Sequence, residues 1–314
     1  MPTQEKMRLV SEKKKPTGGI VDVAMPYIKL CRIDGLLGVW LTFWPCAWGA
    51  LLASSHYGQQ PPLELFYLLI GMFIGCALLH SAACTINDIF DRHVDGLVER
   101  TKHRPLVTGA ISVRNAWIFL MFQVVLFLYV LSWTNPMCVK IALGNLPLQF
   151  TYPLAKRYTY WTSGILGLTF GYGSLIGWSA VAESLSWVNL PLYLAGVCWA
   201  MGYDTIYSHQ DMADDPKAGV KSTAILLQGR NPRAWLTVLA IGFVTFLAIS
   251  GVMLEATPAF FYTVIAAALH VGWQVKTVEL GKPSDCFEKF YSNSWIGFVM
   301  LPGLLLEYAA KLAV

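Results

Sequence analysis

The stretch from Leu65 to Asp95, LFYLLIGMFIGCALLHSAACTINDIFDRHVD, decides how the rest of the chain is read. Its first part, 65–86, carries no Asp, Glu, Lys or Arg. A helical run of about 20 mostly apolar residues is what crossing a hydrocarbon layer takes. The run then stops on Asn87-Asp88-Ile89-Phe90-Asp91-Arg92-His93-Val94-Asp95. On a helix Asp88, Asp91 and Asp95 recur at i, i+3 and i+7 and share one face, with Asn87 at its edge. Carboxylates so placed repel one another unless a cation neutralises them. Hard oxygen donors suit Mg²⁺, which binds through one or two carboxylates together with substrate phosphates.

Similar apolar runs lie on either side. With 65–86 they make nine expected spans: 35–54, 65–86, 115–133, 137–153, 162–181, 188–207, 233–253, 257–275 and 293–312. The composition agrees, since 55% of the 314 residues are apolar and only 13% charged, about half the charge of a soluble domain. The expected fold class is all-α, a multi-pass transmembrane bundle formed by residues 26–314 as one domain. Residues 1–25 are expected to be a solvated tail. Twenty-one of the 23 Lys and Arg residues fall ahead of the first span, in the loops after the even-numbered spans or, as Arg233, at the edge of such a loop. The positive-inside rule puts those segments in the cytosol and, with nine spans, leaves the C-terminus outside. The charges collect at one membrane face rather than at mid-span, which argues against a transporter. Seven scattered cysteines, without a CxxC pair or a His at zinc spacing, read as reduced packing residues.

A second acidic cluster stands on the same basic side, Tyr203-Asp204-Thr205-Ile206-Tyr207-Ser208-His209-Gln210-Asp211-Met212-Ala213-Asp214-Asp215. Asp204, Asp211 and Asp215 fall at 0, 7 and 11, again one helical face. Lys217 and Lys221 follow, and Arg100, Lys102 and Arg104 lie between the clusters, all possible partners for an anion bridged by metal. A mixed acidic and basic loop is usually a solvated surface. Two such clusters, each opening at the end of an apolar span, point instead to a site for a metal and a diphosphate.

NDIFDRHVD and YDTIYSHQDMADD followed by GVKST resemble the motifs of the UbiA superfamily of intramembrane prenyltransferases. RIDGLLGVWLTFWPCAWG at 32–49, RTKHRP at 100–105 with TG at 108–109, YPLAKRYT at 152–159 and FYSNSWIG at 290–297 are similar to its 4-hydroxybenzoate polyprenyltransferase branch. Met212-Ala213 depart from that branch, which usually has charged residues there.

The resemblance implies nine helices around a central cavity open to lipid. It implies Mg²⁺ held by Asp88, Asp91, Asp95, Asp204, Asp211 and Asp215. It brings Arg32 and Asn87 near the aromatic acceptor or the diphosphate, and sets Lys156, Arg157 and Lys221 on the anion side. The expected activity is transfer of a prenyl group, farnesyl in the favoured reading, from a prenyl diphosphate to a phenolic aromatic acid of polyketide origin. The alternatives are 4-hydroxybenzoate polyprenyl transfer in ubiquinone synthesis and a membrane terpene cyclase. Membrane lipid is an expected partner and nucleic acid is not. Phe43, Trp44, Phe150, Tyr152 and Phe170 are aromatic faces available to a carbocation. Residues 1–24 mix acids with bases, unlike a mitochondrial presequence. That suggests the endoplasmic reticulum or another endomembrane, with the site facing the cytosol.

Overall fold

A computed structural model describes residues 19–58, 60–217 and 219–313. Among them there is no strand, and nine helices have 19 or more residues. In chain order the helices are α1 (Ile20–Cys31), α2 (Leu37–Tyr57), α3 (Pro62–Asp95), α4 (Pro105–Thr108), α5 (Val113–Leu131), α6 (Pro136–Tyr158), α7 (Thr162–Ala182), α8 (Leu190–Ser208), α9 (Thr223–Leu226), α10 (Pro232–Met253), α11 (Pro258–Thr277) and α12 (Pro283–Leu312), with a 3₁₀ turn at Trp187–Asn189. Seven of the long ones, α2, α3, α5, α7, α10, α11 and α12, are long and apolar enough to cross a membrane.

Every expected span coincides with a long helix, but the ends differ. α3 runs 34 residues without interruption through the acidic motif to Asp95. α12 begins at Pro283, ten residues before the expected start at 293. The expected boundary between tail and domain at 25/26 falls inside α1. The expected solvated tail at 1–18 lies outside the described residues.

α2 is apolar all round and is buried along most of its length, as its composition requires. It packs against α3, α7 and α12, and α7 in turn packs against α6 and α8. Glycine allows the α2–α7 approach: a Cβ at Gly177 would collide with the Cys46 carbonyl, and one at Gly49 with the Ser174 carbonyl. The main core lies where α2, α7, α8, α10, α11 and α12 meet, around Trp48, Trp199, Phe243 and Phe260. All seven cysteines are free, and all but Cys198 are buried.

Candidate functional site

Chain direction brings the C-terminal ends of α3, α6 and α8 to one end of the bundle. Asp91 and Asp95 from α3 and Asp204 from α8 line one cavity of about 180 Å³ with Arg32, Asn87, Arg100, Arg104, Tyr152, Lys156, Tyr207, Asp211, Asp215 and Lys221. Ten of the eleven candidate residues thus divide between the cavity wall and its immediate support; Arg157 stands outside.

Each α3 carboxylate meets a cation. Asp88 is buried, and its Oδ1 accepts from Arg32 Nη2 at 2.6 Å and lies 3.0 Å from Arg104 Nη1. It therefore sits behind those two guanidiniums and is not a lining residue of the cavity. Asp91 and Asp95, further along α3, do line it. The cause is that Asp88 is one turn deeper in α3, where an unpaired charge is costly. Asp95 Oδ2 accepts from Arg104 Nη1 at 2.7 Å. Lys156 donates to Asp91 Oδ2 and lies 3.4 Å from Asn87 Oδ1. The other Asp91 oxygen is buried without a hydrogen-bond donor, with Arg157 Nη2 at 3.8 Å.

The second cluster is not a continuous helical face. α8 stops at Ser208, and the chain then turns, with the Asp214 and Asp215 amides both donating to the Asp211 carbonyl at 2.9 Å. Pro216 disfavours helix at the residue before it, and the acidic side chains compete for backbone donors. The turn still returns Asp211 and Asp215 to the cavity beside Asp204. Arg100 grips Asp211 with two bonds, Nε to Oδ1 at 3.0 Å and Nη2 to Oδ2 at 2.6 Å, and lies over the Tyr207 ring. This pair ties the loop after α3 to the loop after α8. Asp204 Oδ2 accepts from Ser163 at 2.7 Å. Among the described residues no Lys or Arg forms an ion pair with Asp204 or Asp215. Burial pushes the Asp215 carboxyl up to about 6.

Of the remaining cations, Lys221 faces the cavity and donates to the Tyr158 carbonyl at 3.2 Å. Arg157 donates to the Phe90 carbonyl at 3.0 Å and lines a neighbouring groove with Arg92 and His93. Two expected anion partners are spent elsewhere, Lys102 on Glu99 at 2.5 Å and Lys217 on Asp214 at 3.2 Å.

Arg32 ends α1 in the left-handed conformation, φ 52° and ψ 33°, which an L-residue adopts at a cost of about 1–2 kcal/mol. Its Nη1 donates to Cys84 Sγ at 3.2 Å. Arg32 also lines a second, larger cavity of about 440 Å³ with His80, Cys84, Asn87, Gln149, Tyr152, Phe170, Tyr203, Asp204, Tyr207 and Phe290. Of the five expected aromatic faces, Tyr152 and Phe170 are on this wall. Trp44 and Phe43 are buried in the core, Trp44 donating to the Ser294 carbonyl, and Phe150 is on the outside. Tyr203, Tyr207 and Phe290 supply the aromatic wall instead; Phe290 opens the FYSNSWIG segment, which carried the resemblance without assigning it this role. Ser163 and His80 were equally hidden, because a lone hydroxyl or imidazole in an apolar span reads as packing.

Among the described residues no three His, Cys, Asp or Glu side chains form a ready cage for a metal ion. The donor set nevertheless fits Mg²⁺. It is all oxygen and drawn from α3 and from the end of α8 with the loop after it, with a buried Asp91 oxygen that accepts no bond and two carboxylates, Asp204 and Asp215, in no ion pair among the described residues. Mg²⁺ takes one or two carboxylates and completes its shell with phosphate and water.

Seven helices able to cross a bilayer, closing at one end over a chamber of opposed charges, define an integral membrane protein. Residues 42–299 match the UbiA prenyltransferase family, and the chain belongs to that family. It is an enzyme, an aromatic prenyltransferase. It is 40% identical over 307 residues to the 4-hydroxybenzoate polyprenyltransferase, mitochondrial, of Arabidopsis thaliana, covering 94% of this chain and 74% of that one. It is 41% identical over 287 residues to the mouse protein of the same name, covering 91% and 75%. Its fold is shared with a UbiA homologue of Aeropyrum pernix K1 (TM-score 0.71, 23% identity, 85% of this chain and 97% of that one). A UbiA homologue of Archaeoglobus fulgidus bound to GPP and Mg²⁺ is also similar (TM-score 0.70, 20% identity, 92% and 100%).

Proposed function

We propose that this enzyme transfers a polyprenyl group from a polyprenyl diphosphate to 4-hydroxybenzoate, in a Mg²⁺-dependent reaction within a mitochondrial membrane. The observation that carries the reading is the shared cavity: carboxylates of α3 and of the α8 end oppose one another across a space ringed by fixed cations. The relatives' names supply the acceptor and the organelle. They favour this reading over farnesyl transfer to a polyketide-derived acid and over an endoplasmic-reticulum location.

All nine long helices span the membrane in this reading, and the bundle encloses one connected cavity. The Lys- and Arg-rich end faces the cytosol or, in a mitochondrial membrane, the matrix. Asp91, Asp95, Asp204, Asp211 and Asp215 would hold Mg²⁺, with Asp88 supporting them through Arg32 and Arg104. Mg²⁺ bound there supplies positive charge to the diphosphate as it leaves. Lys156, Lys221, Arg100 and Arg104 stabilise the same developing charge from fixed positions. Arg32, facing both cavities, binds the acceptor carboxylate, and Asn87 orients the substrates where the cavities meet. Tyr152, Phe170, Tyr203 and Tyr207 present ring faces to the allylic cation and exclude water from it. The isoprenoid tail lies in an apolar channel continuous with this chamber.

The test is an assay of purified enzyme in liposomes with prenyl diphosphates, 4-hydroxybenzoate and Mg²⁺, reading products by mass. Prenylated 4-hydroxybenzoate, lost with EDTA and restored by Mg²⁺, is the expected result. A product formed only from a polyketide-derived acid would return the farnesyl-transfer reading. A cyclised terpene formed without acceptor would replace both.

A further inference from the structure

The apolar channel is about 330 Å³ in volume and runs between α3, α5, α6 and α7. Its near end is bounded by His80, Ala83, Gln149 and Phe170, which also line the larger chamber beside Arg32, so the two spaces are continuous. Its far end is bounded by Tyr67, Trp133 and Cys138. From Ala83 to Tyr67 is sixteen residues of α3, about 24 Å along the helix, most of the roughly 30 Å hydrocarbon layer. The Tyr67 and Trp133 rings at that end are 62% and 73% exposed, so the channel does not end on a packed core.

Two glycines on α3, Gly71 and Gly75, form part of this wall one helical turn apart. Mid-helix glycine costs roughly 1 kcal/mol relative to alanine and normally serves close helix approach in membranes. Gly177 and Gly49 do that here. Gly71 does not, since a Cβ there would meet nothing within 4 Å, and at Gly75 it would meet only Val130 Cγ1 at 3.8 Å. No neighbouring helix uses the space these glycines leave.

We infer that Gly71 and Gly75 determine the donor's chain length. They keep the channel open along α3, so that a long isoprenoid passes them and leaves at the Tyr67–Trp133 end, whereas a short one stops before reaching them. The inference rests on the donor reading above and adds to it the residues that set donor length. The occupant is an isoprenoid because the channel opens from the larger chamber, which shares Arg32, Asn87, Tyr152 and Asp204 with the cavity proposed to take the diphosphate.

The test compares Gly71→Leu and Gly75→Leu with wild type, using geranyl and decaprenyl diphosphate with 4-hydroxybenzoate. Gly272→Leu is the control, at a glycine of α11 where a Cβ also meets nothing within 4 Å. The ratio of decaprenyl to geranyl kcat/KM should fall at least about tenfold in both channel variants, the scale on which a hydrophobic pocket discriminates by methylene fit. It should stay unchanged in Gly272→Leu. An unchanged ratio, or equal loss with both donors, overturns the inference. If wild type prenylates nothing, the acceptor reading fails separately, and a binding readout still decides. A non-hydrolysable decaprenyl diphosphate analogue should slow maleimide alkylation of Trp133→Cys, a position 73% exposed at the channel's far end, in a protein otherwise free of cysteine, and should not do so once Gly71→Leu is added. Alkylation indifferent to the analogue without Gly71→Leu, as when a lipid acyl chain occupies the channel, overturns the inference.

Discussion

Arg32 shows how one side chain serves two spaces. One nitrogen is fixed by Asp88 at 2.6 Å and another by Cys84 Sγ at 3.2 Å. The fork is thus oriented before any substrate arrives. A guanidinium held this way can meet a carboxylate through two parallel bonds, which an ammonium cannot reproduce. Arg32→Lys should therefore raise the KM for the acceptor and leave that for the diphosphate nearly unchanged. A change confined to the diphosphate would move Arg32 to the leaving group, and unaltered kinetics would leave it an interfacial anchor. Asp204 forms no ion pair among the described residues and faces both cavities. Asp204→Ala should lower turnover by about 10²–10³, the usual cost of removing one transition-state charge stabiliser, while the protein still accumulates in membranes. More than about a tenth of wild-type turnover, on the same scale, would remove Asp204 from the principal ligands. Carboxylate spacing made these residues legible in the sequence. It did not distinguish Asp88, which pairs inward, from Asp91 and Asp95, which face the cavity; that difference depends on Arg32 and Arg104, distant in sequence.

At the level of elements, the two acidic clusters differ in stiffness. The first rides on the unbroken helix α3, whereas the second divides between the last turns of α8 and a loop held by Arg100. Helical spacing foresaw the first arrangement and misread the second, because α8 ends at Ser208 and the chain turns through Asp211–Asp215 instead. In the proposed function the loop carboxyl of Asp215, lifted by burial to about 6, would make metal binding sensitive to pH. Above that value it is ionised and available to a cation; below it the proton competes. Apparent Mg²⁺ affinity should thus fall as pH drops from about 7 to 5, with metal uptake releasing protons. Asp215→Asn should remove that step. A flat profile in the wild type would show that Asp215 takes no part in holding the ion. The α2–α7 contact gives a structural counterpart. Gly177→Leu places a side chain on the Cys46 carbonyl, and overpacking of this kind costs about 1–3 kcal/mol. A lower thermal midpoint in detergent, whatever the donor, is the expected outcome.

Across the whole molecule, long apolar runs made the helices readable to within a few residues at most ends. Hydropathy could not decide how many of them cross. Seven pass on length and composition, while α6 and α8, which carry candidate residues inward, are less apolar. That is a physical consequence of function, since a helix lining a polar cavity surrenders part of its apolar signal. α1 was missed because its twelve residues are too few for a span and lie beside a charged segment. Sidedness follows from the basic residues and can be tested without activity. Nine crossings put the loop between α7 and α8, with Ser184, opposite the loop after α8, with Lys217. Both positions are exposed, so a cysteine at either can react with a membrane-impermeant maleimide. In sealed, oriented vesicles of a protein otherwise free of cysteine, Lys217→Cys should label from the basic side alone and Ser184→Cys only after the vesicles are opened. If both label before opening, α8 does not cross. The α8 carboxylate would then have to reach the chamber from a re-entrant segment, and the opposed acidic faces would lose the shared membrane depth on which the proposed chemistry depends.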